Sequence, residues 1–275
     1  MNRKKLFHSI GWDILGCFLS LVVLVPLYLA LVNSFKAEAE ANLLRASLPK
    51  KWAILENYLE VIERGNIFVA FKSSMIVTFA TVVLAIVFAS MAAFVMERKK
   101  TKVSGLLDFF ILMGIIVPPS IVPTFFLLKL LDLHGTYQGV ILIYIALYTP
   151  VSIILYKGYF KTVPREIDEA AIIDGCNFTQ LYWRVVFPLL KPVSSTVFII
   201  IFMSVWNDFT IALYFLNTPN RFTLPLTVYF FFGQYFNSWN LVFADVILIA
   251  LPVVAVYFFA QKSIIAGMTA GAIKG

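Results

Sequence analysis

A chain of 275 residues that is 61% hydrophobic and only 13% charged, with a mean hydropathy of +0.89, carries more apolar surface than one water-soluble core can enclose. Lipid must be its solvent, and the net charge of +7 reads as loop charge that sets topology rather than as a nucleic-acid footprint. Its two cysteines, Cys17 and Cys176, and two histidines, His8 and His134, show no metal-ligand spacing, and no Gly-x-x-x-x-Gly-Lys-Ser/Thr phosphate loop occurs.

Six runs are long and apolar enough to cross a bilayer, since roughly 20 helical residues span ~30 Å. They lie near Ile14 to Val32, Val69 to Met96, Leu106 to Leu128, Gly139 to Tyr156, Val193 to Tyr214 and Leu241 to Ala260. The first follows the basic Arg3, Lys4 and Lys5 but is too long for a signal-peptide core and lacks a cleavage site, so it is expected to stay as an uncleaved helix. Pro26, Pro118, Pro119, Pro123, Pro150 and Pro252 interrupt several runs and predict bent helices whose freed backbone groups find partners in a packed bundle. The runs lack the period-2 alternation of a barrel strand, which leaves an all-α membrane protein of six transmembrane helices.

Basic residues collect in alternate loops: Arg3 to Lys5, Arg98 to Lys102, Lys157 to Lys191, and Lys262 with Lys274. The other loops carry about half as many, and Asn33 to Asn66 balances them with glutamates, so the positive-inside rule puts both termini in the cytoplasm. The polar insert between the fourth and fifth runs falls on the same side.

That insert reads Val163-Pro-Arg-Glu-Ile-Asp-Glu-Ala-Ala-Ile-Ile-Asp-Gly175. Pro164 suits the first turn of a helix, and Glu166, Asp168 and Glu169 complement the positive end of its dipole. Ile167, Ala170, Ala171 and Asp174 recur at three- and four-residue spacing, which predicts one low face that another protein can approach closely. Gly175 supplies a turn, and Thr179 to Val186 predicts a second short helix before Phe187-Pro188. By pattern alone this element is either a docking surface or an amphipathic connector resting on headgroups.

Glu169-Ala170-Ala171, then Gly175, Val185 and Phe187-Pro188, resembles the EAA loop of ABC importer permeases, with Val185 and Phe187 replacing the usual isoleucine and leucine. Pro123 to Glu169, Trp206-Asn-Asp-Phe209, Thr223-Leu-Pro225 and Ala244 to Pro252 look like the carbohydrate branch, and Gln261 to Gly275 is similar to the end of the smaller maltose-type permease. The resemblance covers about Asn57 to the end and implies the ABC type I importer transmembrane fold. It implies a coupling helix in a cleft of an ATP-binding subunit, with Glu169, Ala170, Ala171, Asp174, Gly175 and Pro188 at the joint. A second ATPase contact through Thr269, Gly271, Lys274 and Gly275 is also implied. The tail itself, lying after Lys262, is expected to be flexible or extended.

The implied organisation is residues 1–67 as first helix and extracytoplasmic loop, 68–262 as permease core with the coupling loop at about 163–188, and 263–275 as cytoplasmic tail. The implied partners are a second homologous permease, two ATP-binding subunits that use ATP and Mg, an extracytoplasmic solute-binding protein and a sugar or oligosaccharide. No cofactor, metal or catalytic group is expected on this chain itself.

Trp206, Asn207 and Asp208 lie together in the fifth run and are candidates for the translocation path, because polar groups inside a membrane are costly. The alternative is that Asn207 and Asp208 join helices by hydrogen bonds. Asp245 and Lys72 read as interfacial or snorkelling charges, and Tyr235 to Trp239 as an interfacial belt. A secondary transporter would need ionisable groups deep in the bundle and a membrane enzyme a convergent catalytic cluster; neither pattern is evident.

Overall fold

The computed structural model describes residues 3–99, 101–216, 218–232 and 238–272, with side chains described from residue 13 to 258 apart from 14 and 102. The described residues are nearly all helical, with an isolated β-bridge between Lys36 and Trp52. In chain order the helices are α1 (Arg3–Ser34), α2 (Glu38–Ala41), α3 (Ile54–Arg64), α4 (Ile67–Arg98), α5 (Lys102–Ile116), α6 (Ile121–Leu130) and α7 (Tyr137–Phe160). There follow α8 (Glu166–Ile173), α9 (Phe178–Gln180), a π-helical stretch (Leu181–Val186), α10 (Phe187–Leu189), α11 (Lys191–Trp206), α12 (Thr210–Phe215) and α13 (Trp239–Ala272). Short 3-10 turns at Pro219–Arg221 and Leu224–Phe230 lie between the last two.

Four helices are long and apolar enough to cross a membrane alone: Leu15–Ser34, Ile67–Arg98, Tyr137–Phe160 and Trp239–Phe258. Two bent pairs make six if each is one span. Val103–Ile116 and Ile121–Leu130 meet at 115°, and Phe178–Leu189 and Lys191–Trp206 at 75°. The expected continuous span from Leu106 to Leu128 is therefore broken, because Pro118 and Pro119 have no N–H to carry the helix past Val117, whose amide makes the last bond to Met113 O at 2.9 Å. The expected span Val193 to Tyr214 likewise stops at Trp206 and resumes at Thr210.

The chain divides into two compact units. In the one formed by Met1–Phe68 and Thr227–Pro252, a polar network ties the segment after α1 to α3. Lys36, fully buried, donates to Asn33 Oδ1 at 3.0 Å and to Arg45 O at 2.7 Å. Asn57 Nδ2 donates to Ser34 O and Lys36 O at 2.8 Å, and Asn240 Nδ2 to Asn57 Oδ1 at 2.7 Å. Burial pushes the Tyr58 phenol up from its usual pKa, and its hydrogen bond with Ser34 pulls partly the other way. Asp245, expected at an interface, is instead fully buried and takes the Thr227 hydroxyl at 2.9 Å to both oxygens. A carboxylate flanked by apolar helix survives inside only with such a donor. Lys72 is exposed, as a snorkelling charge requires.

In the unit formed by Val69–Leu226 and Val253–Gly275, α4 presents a buried face of small residues, Ala70, Ser73, Thr81, Ala85, Ala89 and Ala93 among them. Small side chains let helix backbones approach closely where lipid removes the hydrophobic incentive to associate. α7 packs against α5, α11 and α12. The tail expected to be flexible or extended continues α13 as helix to Ala272. Residues 263–272 contain no proline, and alanine and methionine favour a helix there, against the opposing preference of Gly267 and Gly271. Tyr235 to Asn237 of the expected belt lie outside the described residues.

Candidate functional site

The insert after α7 folds as a helix, bend, helix element held against the ends of α4 and α7. α8 starts at Glu166 with Arg165 before it, two residues later than a start at Pro164 would give, and carries Glu166, Asp168 and Glu169 in its first turn. Arg98, at the end of α4, reaches it: Nε lies 2.5 Å from Asp168 Oδ2, both side chains being nearly buried. The same guanidinium sits 5.6 Å from the Phe160 ring centre and donates to Val163 O at 3.4 Å, and Arg165 Nη2 donates to Glu97 O at 3.0 Å.

α8 ends where Asp174 N bonds to Ala170 O at 2.9 Å and Cys176 N to Ala171 O at 3.0 Å, with Gly175 at φ +83°. Asn177 and Gln180 then cap α9 reciprocally, Gln180 N donating to Asn177 Oδ1 at 2.9 Å and Asn177 N to Gln180 Oε1 at 3.0 Å. Behind the bend, Phe94 of α4 packs on Phe160, Phe178 and Tyr182 with ring centres 5.7–5.9 Å apart, and the Ser90 and Tyr182 hydroxyls are 2.6 Å apart. The second helix expected over Thr179 to Val186 begins at Phe178 and winds wider into a π-helical stretch before Phe187–Leu189, which includes the exposed Pro188.

The expected low face of Ile167, Ala170, Ala171 and Asp174 does not hold together. Ala171 turns inward with Asp168, whereas Glu169, Ala170, Ile172, Asp174 and Ile173, 85% exposed, point away. Arg98 decides this: residues 168 and 171 share one side of a helix, and the ion pair draws that side against α4. Sequence reading missed Arg98 and Asp168 as a pair because Arg98 stood out only as one of several loop cations. The outward surface that remains combines two isoleucines with acidic side chains.

A Cβ on Gly175 meets nothing within 4 Å, so space does not demand glycine there, but the positive φ does. Gly175→Val is expected to lower stability by only about 1–2 kcal/mol, the left-handed penalty, and Gly175→Asn by less, measured as thermal unfolding midpoints. Uptake falling much further than stability would report a partner seated on the bend.

Trp206 closes α11, is buried, stacks on Phe202 at 5.3 Å and meets Phe71 edge-on at 6.0 Å. Asp208 accepts the Tyr144 hydroxyl at 2.9 Å and the Ile211 amide at 2.8 Å, so it caps α12 and joins it to α7. Asn207 is exposed and donates to Met203 O at 2.8 Å. Of the three, Asn207 alone presents its side chain outward in this conformation. Thr269 and Gly271 lie in the helical backbone of α13, and Lys274 and Gly275 lie outside the described residues. Among the described residues no three His, Cys, Asp or Glu side chains converge as a metal site.

Residues 85–269 match a family described as a binding-protein-dependent transport system inner membrane component. The chain is 34% identical over 261 residues to a probable starch degradation products transport system permease protein, AmyC, of Thermoanaerobacterium thermosulfurigenes, covering 94% of this chain and 95% of that one. It is 33% identical over 259 residues to the melibiose/raffinose/stachyose import permease protein MelC of Bacillus subtilis, covering 91% of each. One chain in the crystal structure of a bacterial ABC transporter involved in the import of the acidic polysaccharide alginate shares the fold, with a TM-score of 0.82 at 22% identity over 95% of this chain and 98% of that one. With the loop geometry, the apolar spans and these matches together, the chain belongs to the binding-protein-dependent transport system inner membrane component family, as a multi-pass permease of the bacterial cell membrane.

Proposed function

We propose that this chain is one permease subunit of an ABC importer that moves a sugar or oligosaccharide into the bacterial cell. The relatives described above are permeases for starch degradation products and for melibiose, raffinose and stachyose, which supports a carbohydrate cargo. Two partner ATP-binding subunits bind and hydrolyse ATP with Mg, a second homologous permease completes the pathway, and an extracytoplasmic solute-binding protein delivers the sugar. Both termini and the 163–188 loop face the cytoplasm, as the distribution of basic residues indicates. The chain catalyses no covalent step; ATP-driven closure of the partners shifts the bundle between inward- and outward-open states.

The observation that carries this reading is α8 itself, pinned from behind by Arg98 and the Phe94 cluster while Glu169, Ile172, Ile173 and Asp174 stand free in front. A headgroup-resting connector would turn acids away from the membrane and isoleucines towards it, whereas here both share the outward surface. Glu169, Ala170, Asp174, Gly175 and Pro188 form the proposed joint, with Ala171 supporting it from inside. A tail contact through Thr269 to Gly275 and a place for Asn207 in the pathway belong to the same proposal.

Uptake of radiolabelled maltotriose and raffinose into vesicles carrying the whole importer tests it. ATP dependence is expected, and Glu169→Lys should cut uptake by about tenfold or more, the scale of losing one interface hot spot, while the chain still folds. Uptake that ignores ATP but collapses with the ion gradient would make the protein a secondary transporter instead.

A further inference from the structure

At the end of the bundle that carries α8, five charges of alternating sign come together from four helices. Asp168 of α8 pairs with Arg98 of α4; the neighbouring Glu97 lies 3.8 Å from Lys157 Nζ of α7; and Lys157 pairs with Asp108 of α5. Arg165, at the start of α8, donates to the Glu97 carbonyl at 3.0 Å, a second tie at the middle of the row. The residues all lie near helix ends: Arg98 and Glu97 end α4, Lys157 lies in the last turn of α7, and Asp108 is in the second turn of α5. A cleft of about 590 Å³, lined by Glu97, Ser104, Asp108, Lys157 and Lys161 among others, opens beside Lys157 and leaves its long side chain room to follow a moving partner.

We propose that Glu97, Arg98, Asp108 and Lys157 are positioning residues that clamp α8 to α5, so that displacement of α8 carries the proline-broken helix pair α5–α6 with it. Three of the four steps along the row are ion pairs within 4.0 Å, and the fourth, from Arg98 to Glu97, is the α4 backbone joining consecutive residues; the pair nearest α8 is nearly buried, where screening by salt is weakest. Direct packing of α5 on α7 supplies the steric half of the same connection. Spatial adjacency alone does not establish coupling; a measured dependence of one end on the other does. The inference rests on α8 being the ATPase-docking helix.

The test places nitroxide labels at Glu166→Cys on α8 and Val103→Cys on α5, in a Cys17→Ser, Cys176→Ser background, within the assembled importer in lipid. Double electron–electron resonance then reads the separation with and without ATP plus vanadate. With the clamp intact, the distance distribution is expected to stay the same in both states. In Lys157→Met and in Asp108→Asn it should shift on nucleotide binding by more than its nucleotide-free width, whereas Lys157→Arg, which keeps a cation between Glu97 and Asp108, should keep the fixed separation. Asp108 is nearly half exposed, so Asp108→Asn remains informative even where Lys157→Met impairs folding. A separation that already changes with nucleotide in the parent, or variants that hold the parent distance, overturns the clamp and leaves the docking reading standing. ATPase subunits that fail to bind the parent chain overturn both.

Discussion

Asp168→Ala is expected to destabilise the folded chain by about 3–5 kcal/mol, because it leaves the nearly buried Arg98 guanidinium without its carboxylate. What remains to Arg98 is the Phe160 face at 5.6 Å and the Val163 carbonyl at 3.4 Å, neither of which neutralises its charge. Because Arg98 lies under α8, the loss should appear first as loosening of the 163–190 element. A lower unfolding midpoint and faster proteolysis within that element are the measurements. Glu169→Ala, one residue along but exposed, should stay within about 0.5 kcal/mol of the parent. Arg98→Met combined with Asp168→Leu replaces the pair by apolar volume and should recover stability to within about 1 kcal/mol, since a buried ion pair often contributes no more than well-packed hydrophobes. If that double variant is stable yet fails to import, the charges act in coupling and not merely in folding.

The second large effect concerns the turn between α6 and α7. A Cβ at Gly139 would stand 2.3 Å from the Leu133 carbonyl oxygen and 3.2 Å from its carbon, both backbone atoms. The turn is fixed on every side: Leu133 N bonds to Leu128 O at 2.8 Å, the Thr136 hydroxyl donates to Leu133 O at 2.7 Å, and Gly139 N donates back to Thr136 Oγ1 at 3.1 Å. Asp132 and Gly135 already hold positive φ, so the backbone has little freedom left to yield. Gly139→Ala should therefore cost about 3 kcal/mol, the upper end of ordinary overpacking, seen as a lower unfolding midpoint and reduced yield of membrane-inserted chain. Gly158→Ala is the control. Its Cβ meets nothing within 4 Å, and alanine there should be neutral or slightly stabilising by helix propensity.

Much of the local shape of the 163–188 element was legible before the fold was known. The Glu169, Ala170, Gly175 and Pro188 positions are found where a helix, bend, helix element needs them, and the acids of the first turn suit its dipole. The orientation of α8 was not legible. It has eight residues, with charges and apolar groups on all sides, so periodicity does not choose which side is inward. Asp208 was ambiguous for a similar reason: its hydrogen-bond donor, Tyr144, is 64 residues away, and nothing local distinguishes a helix-joining carboxylate from a sugar-facing one.

By itself the sequence determined the solvent, the helical class, the number of apolar runs and the place of the loop between them. These follow from hydropathy summed over about 20 residues and from the backbone's need to satisfy its own hydrogen bonds in lipid. Tertiary structure alone decided that Arg98 turns Asp168 and Ala171 inward and that Asp245 is buried against Thr227. It also set the 115° direction change behind Pro118 and Pro119. Each of these depends on which distant side chain arrives to neutralise, cap or replace a group that the local chain leaves unsatisfied.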